Sequence, residues 1–166
     1  MAETTDIRSD FLRHVNAYLH DAIRGADHKA MAALGVAVAL LVLNLASGGF
    51  RTFTALDADA VAFGFGLASY VLVLFAFGTS VFAIFPRIAK DPPKGLIFWE
   101  SVAAQDAASY AAAVEGATDE ALRKALAEHN HTASKILIKK YAWLRVAWFA
   151  ASVGTILTAA AIVLKG

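Results

Sequence analysis

Cysteine is absent from the 166 residues, which excludes disulfides and thiolate metal sites. Proline occurs three times, at 86, 92 and 93, so long stretches run without the residue that most strongly interrupts a helix. Charge is scarce as well. Only 17% of residues are charged, the formal net charge is +1, and no block of like charge breaks the pattern, which argues against a nucleic-acid partner. Catalytic signatures are missing: there is no Gly-x-Ser-x-Gly, no phosphate-binding Gly-rich loop and no tight carboxylate pair in an apolar setting. Five histidines are present, but His14 and His20 are six apart, and His129 and His131 two apart on a predicted helix diverge, so neither spacing makes a facial pair of metal ligands. The expectation is a protein that is not an enzyme and holds no metal or resident cofactor. His129 and His131 read as a seam residue and a solvated one, with protonation near neutral pH as the alternative role.

What the chain has in abundance is uncharged sequence, with 58% hydrophobic residues. Residues 31–50 form a run of twenty without charge, behind the collar Asp27, His28 and Lys29. At about 1.5 Å per residue, such a run spans roughly the 30 Å of a bilayer's hydrocarbon core. Residues 60–85 contain no charge, enough to cross with tilt. Residues 146–164 form a third run, entered through Tyr141, Trp143 and Trp148 as an aromatic belt, with Arg145 able to snorkel back. An all-α integral membrane protein follows, one unit over residues 1–166, with spans at 30–50, 60–85 and 143–164.

Between and before the spans the pattern is helical but amphipathic. Ile7, Phe11, Leu12, Val15, Tyr18, Leu19, Ala22 and Ile23 recur at steps of three and four, predicting a helix over 5–24 that packs on other cytosolic helices or lies in the membrane interface. These first residues lack the apolar core of a secretory signal and are expected to remain in the mature protein. After the span ending at Phe85, the prolines force the chain out, and residues 88–140 form a cytosolic helical region. It reads as a hairpin, one helix over 97–114 and a second from Asp119 capped by Thr118. Leu122, Leu126, His129, Ala133, Ile136 and Lys140 give that second helix a coiled-coil-like seam, and nothing but Gly154 interrupts it before residue 164. The stalk therefore continues into the third span.

Lys and Arg fall four in the segment through Lys29, one in the first connector, nine over 87–145 and one in the tail. The two heavy segments share one side, which places the N-terminus in the cytoplasm and the C-terminus outside it in a multi-pass inner-membrane protein. No charged residue lies inside the uncharged runs 31–50, 60–85 and 146–164, and Tyr70 lies in the second. Asn44, Ser69, Thr79, Ser80, Ser152 and Thr155 supply the polar side chains there, tying helices together or lining a conduit. Gly64, Gly66, Ala68 and Gly78 offer small-residue contact for another helix, or flexibility.

Four short motifs occur in order: Asp27-His28-Lys29-Ala30 at the entry of the first span, Phe85-Pro86-Arg87 at the exit of the second, Ile97-Phe98-Trp99 after the prolines, and Lys139-Lys140-Tyr141 with Leu144-Arg145 leading into the third. Together they cover roughly residues 20 to 160, and in order and spacing the chain resembles the small membrane effectors of the Pycsar antiphage systems. The resemblance implies a protein that responds to a cyclic pyrimidine nucleotide, cyclic UMP or cyclic CMP, made by a partner cyclase, and that then impairs the inner membrane of an infected cell; self-association as a homo-oligomer is expected through the cytosolic helices and small-residue membrane faces. A site for such a ligand needs a guanidinium or ammonium near an aromatic face. Candidates are Arg24, Lys29, Arg87, Lys90, Trp99, Lys139, Lys140 and Arg145, with Lys94, Phe98 and Tyr141 beside them; each base reads first as an anchor at the interface, and Trp99 and Tyr141 as core packing or aromatic belt. Asp27, not needed by an anchor, asks for a partner such as Arg87, Lys140 or Arg145, and that pair is the candidate coupling element. The competing readings are a non-enzymatic assembly subunit that recruits a cytosolic partner, and an oligomeric ion channel.

Overall fold

The structure is a computed structural model that describes residues 7–46, 60–85 and 96–164, apart from the side chains of Trp99 and Glu100. The turn expected at Ser47 to Gly49, the connector carrying Arg51, Asp57 and Asp59, and the Pro86 to Pro93 turn lie outside those residues. Among the described residues, five helices follow in chain order: α1 Ile7–Ala46, α2 Ala60–Ile84, α3 Trp99–Ala103, α4 Ala107–Glu115 and α5 Asp119–Val163. Three of them, α1, α2 and α5, are long and apolar enough to cross a membrane. The fold is all-α, with three candidate transmembrane helices.

The sequence pattern suggests an amphipathic helix and a separate span at the start, whereas α1 is one helix of 40 residues. Neither Gly25 nor the collar ends it. An isolated glycine costs only about 1 kcal/mol in a helix interior, and the flanking charges keep helical spacing. In the opposite sense, the single helix expected over 97–114 is two. Asp106 breaks it by adopting an extended backbone, φ −75° and ψ 157°, and accepting hydrogen bonds from the Ser109 amide and from Ser109 Oγ. Those bonds hold its carboxyl below the usual carboxylate range. At the start of α5, Thr118 Oγ1 accepts from the Ala121 amide at 3.2 Å, and Asp119 and Glu120 complement the helix dipole.

The chain divides into two compact units, one of residues 1–24 and 86–138, the other of residues 25–85 and 139–166. In the first, α1 and α5 meet along Leu12, Asn16 and Leu19. Asn16 Nδ2 donates to Asn130 Oδ1 at 2.9 Å, and Asn130 Nδ2 donates to the Leu12 carbonyl at 3.0 Å, so the buried Asn130 is satisfied. Tyr110 ties α4 to the segment before α3 through the Leu96 carbonyl. Phe98 is buried against the His129 ring, 5.4 Å between centroids, and His20 stands on His129 at 5.8 Å.

In the second unit the three spans pack on a seam of small residues. Ala26, Ala30, Ala33, Ala37, Leu40 and Asn44 are buried on α1, alternating four- and three-residue steps. Leu144, Ala147, Ala150, Ala151, Gly154, Thr158 and Ala161 do the same on α5, and Ala62, Ser69, Val73, Ala76, Ser80 and Ala83 on α2. That rhythm is the left-handed packing of helices crossing at about 20°. The contacts Asp27 to Lys140 and Asn44 to Thr158 keep sequence offsets of 113 and 114, so α1 and α5 run parallel here. Ser69 meets Gly154 and Thr158 while Ala83 clusters with Leu144, so α2 is antiparallel to both.

Side-chain polar groups close this bundle. Asn44 Nδ2 donates to Thr158 Oγ1 at 3.2 Å and to the Leu40 carbonyl; Ser69 Oγ shares a 2.6 Å bond with Thr158 Oγ1 and reaches the Gly154 carbonyl at 3.0 Å. One knot thus joins all three spans. Thr79, Ser80 and Thr155 instead bond carbonyls of their own helix. The small residues that pack are not those expected. Gly64 and Ala68 are exposed, and nothing among the described residues lies within 4 Å of where a Cβ would stand on Gly64, Gly66 or Gly78. Gly154 is the glycine that matters, since a Cβ there would stand 2.9 Å from Val73 Cγ2 and 3.7 Å from the Ser69 carbonyl oxygen.

Gly154→Ala sets about 1 kcal/mol of helix propensity against overpacking of about 1 to 3 kcal/mol. Val73 is fully buried and stiff at χ1, so overpacking wins. The unfolding midpoint in mixed micelles is expected to fall for Gly154→Ala, to recover with Val73→Ala added, and not to fall for Gly64→Ala. For His129, burial first and the neighbouring His20 second push the imidazole below its ordinary 6.5, and its Nδ1 is buried with no partner among the described residues. The unfolded chain therefore binds this proton first as pH falls, and the histidine's effect is nil above about 6.5 and destabilising below. Thermal unfolding followed between pH 7.5 and 5 should show that loss, and His129→Leu should flatten it.

Candidate functional site

Two groups of charge-bearing side chains are built into the described helices, one in each unit. In the second unit the collar of α1 faces the entry of the α5 span. Ala26 and Ala30 are buried against α5 and α2, which turns Asp27 toward the same neighbour. Lys140 lies one turn before Leu144 on the buried seam of α5 and brings its ammonium to Asp27 Oδ1. The lysine side chain is 9% exposed and the aspartate 35%. An ammonium so far removed from water requires a countercharge, and Asp27 provides it.

Aromatic rings pack on the residues next to this pair. Lys29 holds its Nζ 5.6 Å from the centroid of the Tyr141 ring, a cation-π distance. Tyr141 and Trp143 are half-buried against Ala30, Ala83 and Leu144, and Trp143 stacks on Phe82 at 5.7 Å. These side chains bind helix to helix more than they open a cavity. The cluster holds its charge in an apolar wall.

In the first unit α1 and α5 leave a cleft of about 610 Å³. Arg8 and Leu12 line it from α1, and Glu120, Arg123, Lys124 and Ala127 from α5. Three cations face one carboxylate across a floor of Leu12 and Ala127. The periodicity explains the arrangement: Arg8 and Leu12 are one turn apart, as are Glu120, Lys124 and Ala127, so each set shares a helix face.

The residues singled out from sequence distribute unevenly. Lys29 and Lys140 share the collar with Asp27. Lys139 and Arg145 are exposed beside it, and neither faces the buried seam. Arg24 is exposed in the first unit, 3.8 Å from Asp21, a solvated pair one helical turn apart. Arg87 and Lys90 lie outside the described residues, as does Lys94, and Trp99 begins α3. The cleft residues Arg8 and Arg123 escape sequence reasoning because each sits on a mixed-charge helix face, and only the pairing of α1 with α5 brings them together.

A family model described as a Pycsar effector protein domain matches residues 11–165. The chain is 21% identical over 147 residues to the Pycsar effector protein SaPycTM of Staphylococcus aureus, a stretch covering 89% of each protein. No solved structure matches it. The matched stretch takes in the collar, α1 from residue 11, and the other two membrane-capable helices from end to end, and on that match the chain belongs to the PycTM family of Pycsar antiphage effectors.

Proposed function

We propose that this protein is a signal-gated membrane effector: a cyclic pyrimidine mononucleotide, cyclic UMP or cyclic CMP from a partner cyclase, binds its charged helical region and shifts an assembly of copies to a state that impairs the inner membrane. The family match over residues 11–165 carries this reading. The packing of the spans supports it. Ala37, Val73 and Ala147 are fully buried where the three helices meet, and the side chains between them are small and apolar or locked in the Asn44, Ser69 and Thr158 knot. Among the described residues, side chains fill the place where the three helices meet. Membrane damage therefore requires a rearrangement or further copies, and the exposed small-residue face of α2 at Gly64 and Ala68 is where a second copy is expected to approach.

The coupling element in this reading is the Asp27 and Lys140 pair. Both helices that carry it, α1 and α5, also supply residues to the first unit. A ligand that favours one arrangement of those helices can thereby act on the pair without touching it, provided that it binds the two arrangements with different affinity. The role is non-catalytic, and the nucleotide acts as a ligand.

Addition of cyclic UMP or cyclic CMP to cells or proteoliposomes containing the protein is expected to depolarise the membrane; an unchanged potential with both nucleotides would sink the proposal. Asp27→Asn should move the nucleotide threshold for depolarisation while the amount of inserted protein stays constant, and an unmoved threshold removes the pair from the mechanism. The distribution of Lys and Arg supports a topology with the N-terminus in the cytoplasm and the C-terminus outside it. A periplasmic-only reporter fused after Gly166 should accordingly be active, and a cytoplasmic-only reporter silent.

A further inference from the structure

We infer that one flank of the α1 and α5 pair in the second unit, where Lys29, Tyr141 and Arg145 meet, binds the headgroup of an anionic phospholipid. The inference goes beyond the nucleotide response and does not depend on it. Two parallel helices packed about 8 to 10 Å apart leave a groove on each side of their contact. α2 closes one of these grooves. Trp143 stacks on Phe82, and Ala150 and Gly154, on the same stripe of α5, are buried, the glycine where a Cβ would meet Val73. The other groove is bordered by the opposite stripes. Steps of three and four put Arg145 and Trp148 beside Tyr141 on α5, and Lys29, Ala32 and Val36 on the facing side of α1; all but the half-buried Tyr141 are exposed.

The charge balance on this flank calls for an anion. The described residues of the second unit hold four Lys and Arg, at 29, 139, 140 and 145, against one carboxylate, Asp27. Lys140 takes that carboxylate, so the other three have no acidic counterpart among those residues. Two of the three share the open flank. Lys29 holds its Nζ 5.6 Å from the Tyr141 ring centroid, and Arg145 follows Tyr141 by one turn. The ring steadies the ammonium from one side and leaves N–H donors for a phosphate oxygen, and no hydrogen bond or ion pair ties the Arg145 fork to another described residue. A free anion would gain only these two cations. A phospholipid gains more, because Trp148 stands one turn deeper, where an indole sits at the headgroup boundary, and Ala32 and Val36 carry the groove along the uncharged run in which an acyl chain can lie. Phosphatidylglycerol brings a phosphodiester without an ammonium, whereas phosphatidylcholine and phosphatidylethanolamine bring a cation that the two bases would repel. Lys139 lies on the opposite flank, one turn before Trp143.

Tryptophan fluorescence of the purified full-length protein in neutral detergent micelles tests this, with lipids brominated on the acyl chain as quenchers of Trp148. In the unaltered protein, brominated phosphatidylglycerol should quench saturably and brominated phosphatidylcholine should not. Trp148→Phe should remove most of that difference. Arg145→Gln and Lys29→Gln should each raise the half-quenching concentration about tenfold, the scale of one lost charged hydrogen bond. Arg145→Lys should retain most of the affinity, and Lys139→Gln should leave it within about twofold. All of these side chains are exposed, so the variants are expected to fold and insert as the parent does. Equal quenching by the two lipids in the unaltered protein overturns the proposal, whatever the variants do. A loss in Lys139→Gln as great as in Arg145→Gln overturns it as well, since binding would then follow the basic collar as a whole. If cyclic UMP or cyclic CMP changes Trp148 emission through Lys29 and Arg145 while phosphatidylglycerol does not quench, the flank belongs to the nucleotide and the lipid assignment is overturned.

Discussion

Helices that cross hydrocarbon gain nothing from hiding apolar side chains from one another, because lipid tails are as apolar as leucine. They associate only where backbones come close enough for dispersion and hydrogen bonds to outweigh contacts with lipid. That constraint dictates the seam of this protein. Alanine fills most of the buried positions on α1 and α5, and at Gly154 even one methyl group is excess. Close approach in turn allows Ser69 Oγ to reach the backbone carbonyl of residue 154 on a neighbouring helix. The knot at Asn44, Ser69 and Thr158 is a product of the same closeness, and each of its hydroxyls and amides is satisfied without water.

Small side chains also explain where the large ones go. Phe75, Phe77, Phe82, Phe149, Ile156 and Val163 are exposed on the spans, which would be a liability in water and is the expected surface in lipid. The charged side chains gather outside those stretches, in the first unit and at the collar. Lys140 is the exception, the one lysine among the described residues that is buried. It occupies a place on the seam where the neighbouring positions hold Leu144 and Ala147, and it is accommodated because α1 presents Asp27 to the same point.

Much of this is legible in the sequence, and the rest is hidden for identifiable reasons. Uncharged runs and spacing mark the three spans. The absence of any breaker but Gly154 marks α5 as one helix of 45 residues, and a threonine followed by two acidic residues marks its start. The continuity of α1 is obscured because a charged collar next to a glycine looks like a boundary, although helical geometry tolerates both. The break at Asp106 is obscured because an aspartate among alanines is also a normal helix surface residue; only its bonds to Ser109 decide the matter. Gly64, Gly66 and Gly78 show that small residues identify a face capable of close packing without saying which neighbour uses it. Asp27 stood out since one anchor needs no acid beside it. Arg8 and Arg123 did not, because a cleft is a property of two helices, and these two residues lie 115 positions apart in the chain.

The buried pair at the collar raises the question of why charge is kept there at all. Replacing a buried ion pair by apolar residues of similar volume is often neutral or stabilising by about 1 to 4 kcal/mol, so stability alone does not account for Asp27 and Lys140. Removing one partner of such a pair commonly costs about 3 to 5 kcal/mol, toward the lower end where, as for Asp27, a third of the side chain remains exposed to solvent. Moving a two-state equilibrium from 1:99 to 99:1 takes about 5.5 kcal/mol of differential binding. The two quantities are of the same order. A pair of this strength is large enough to fix the register of α1 against α5 at the collar, and that is a reason to keep charge there which stability alone does not supply.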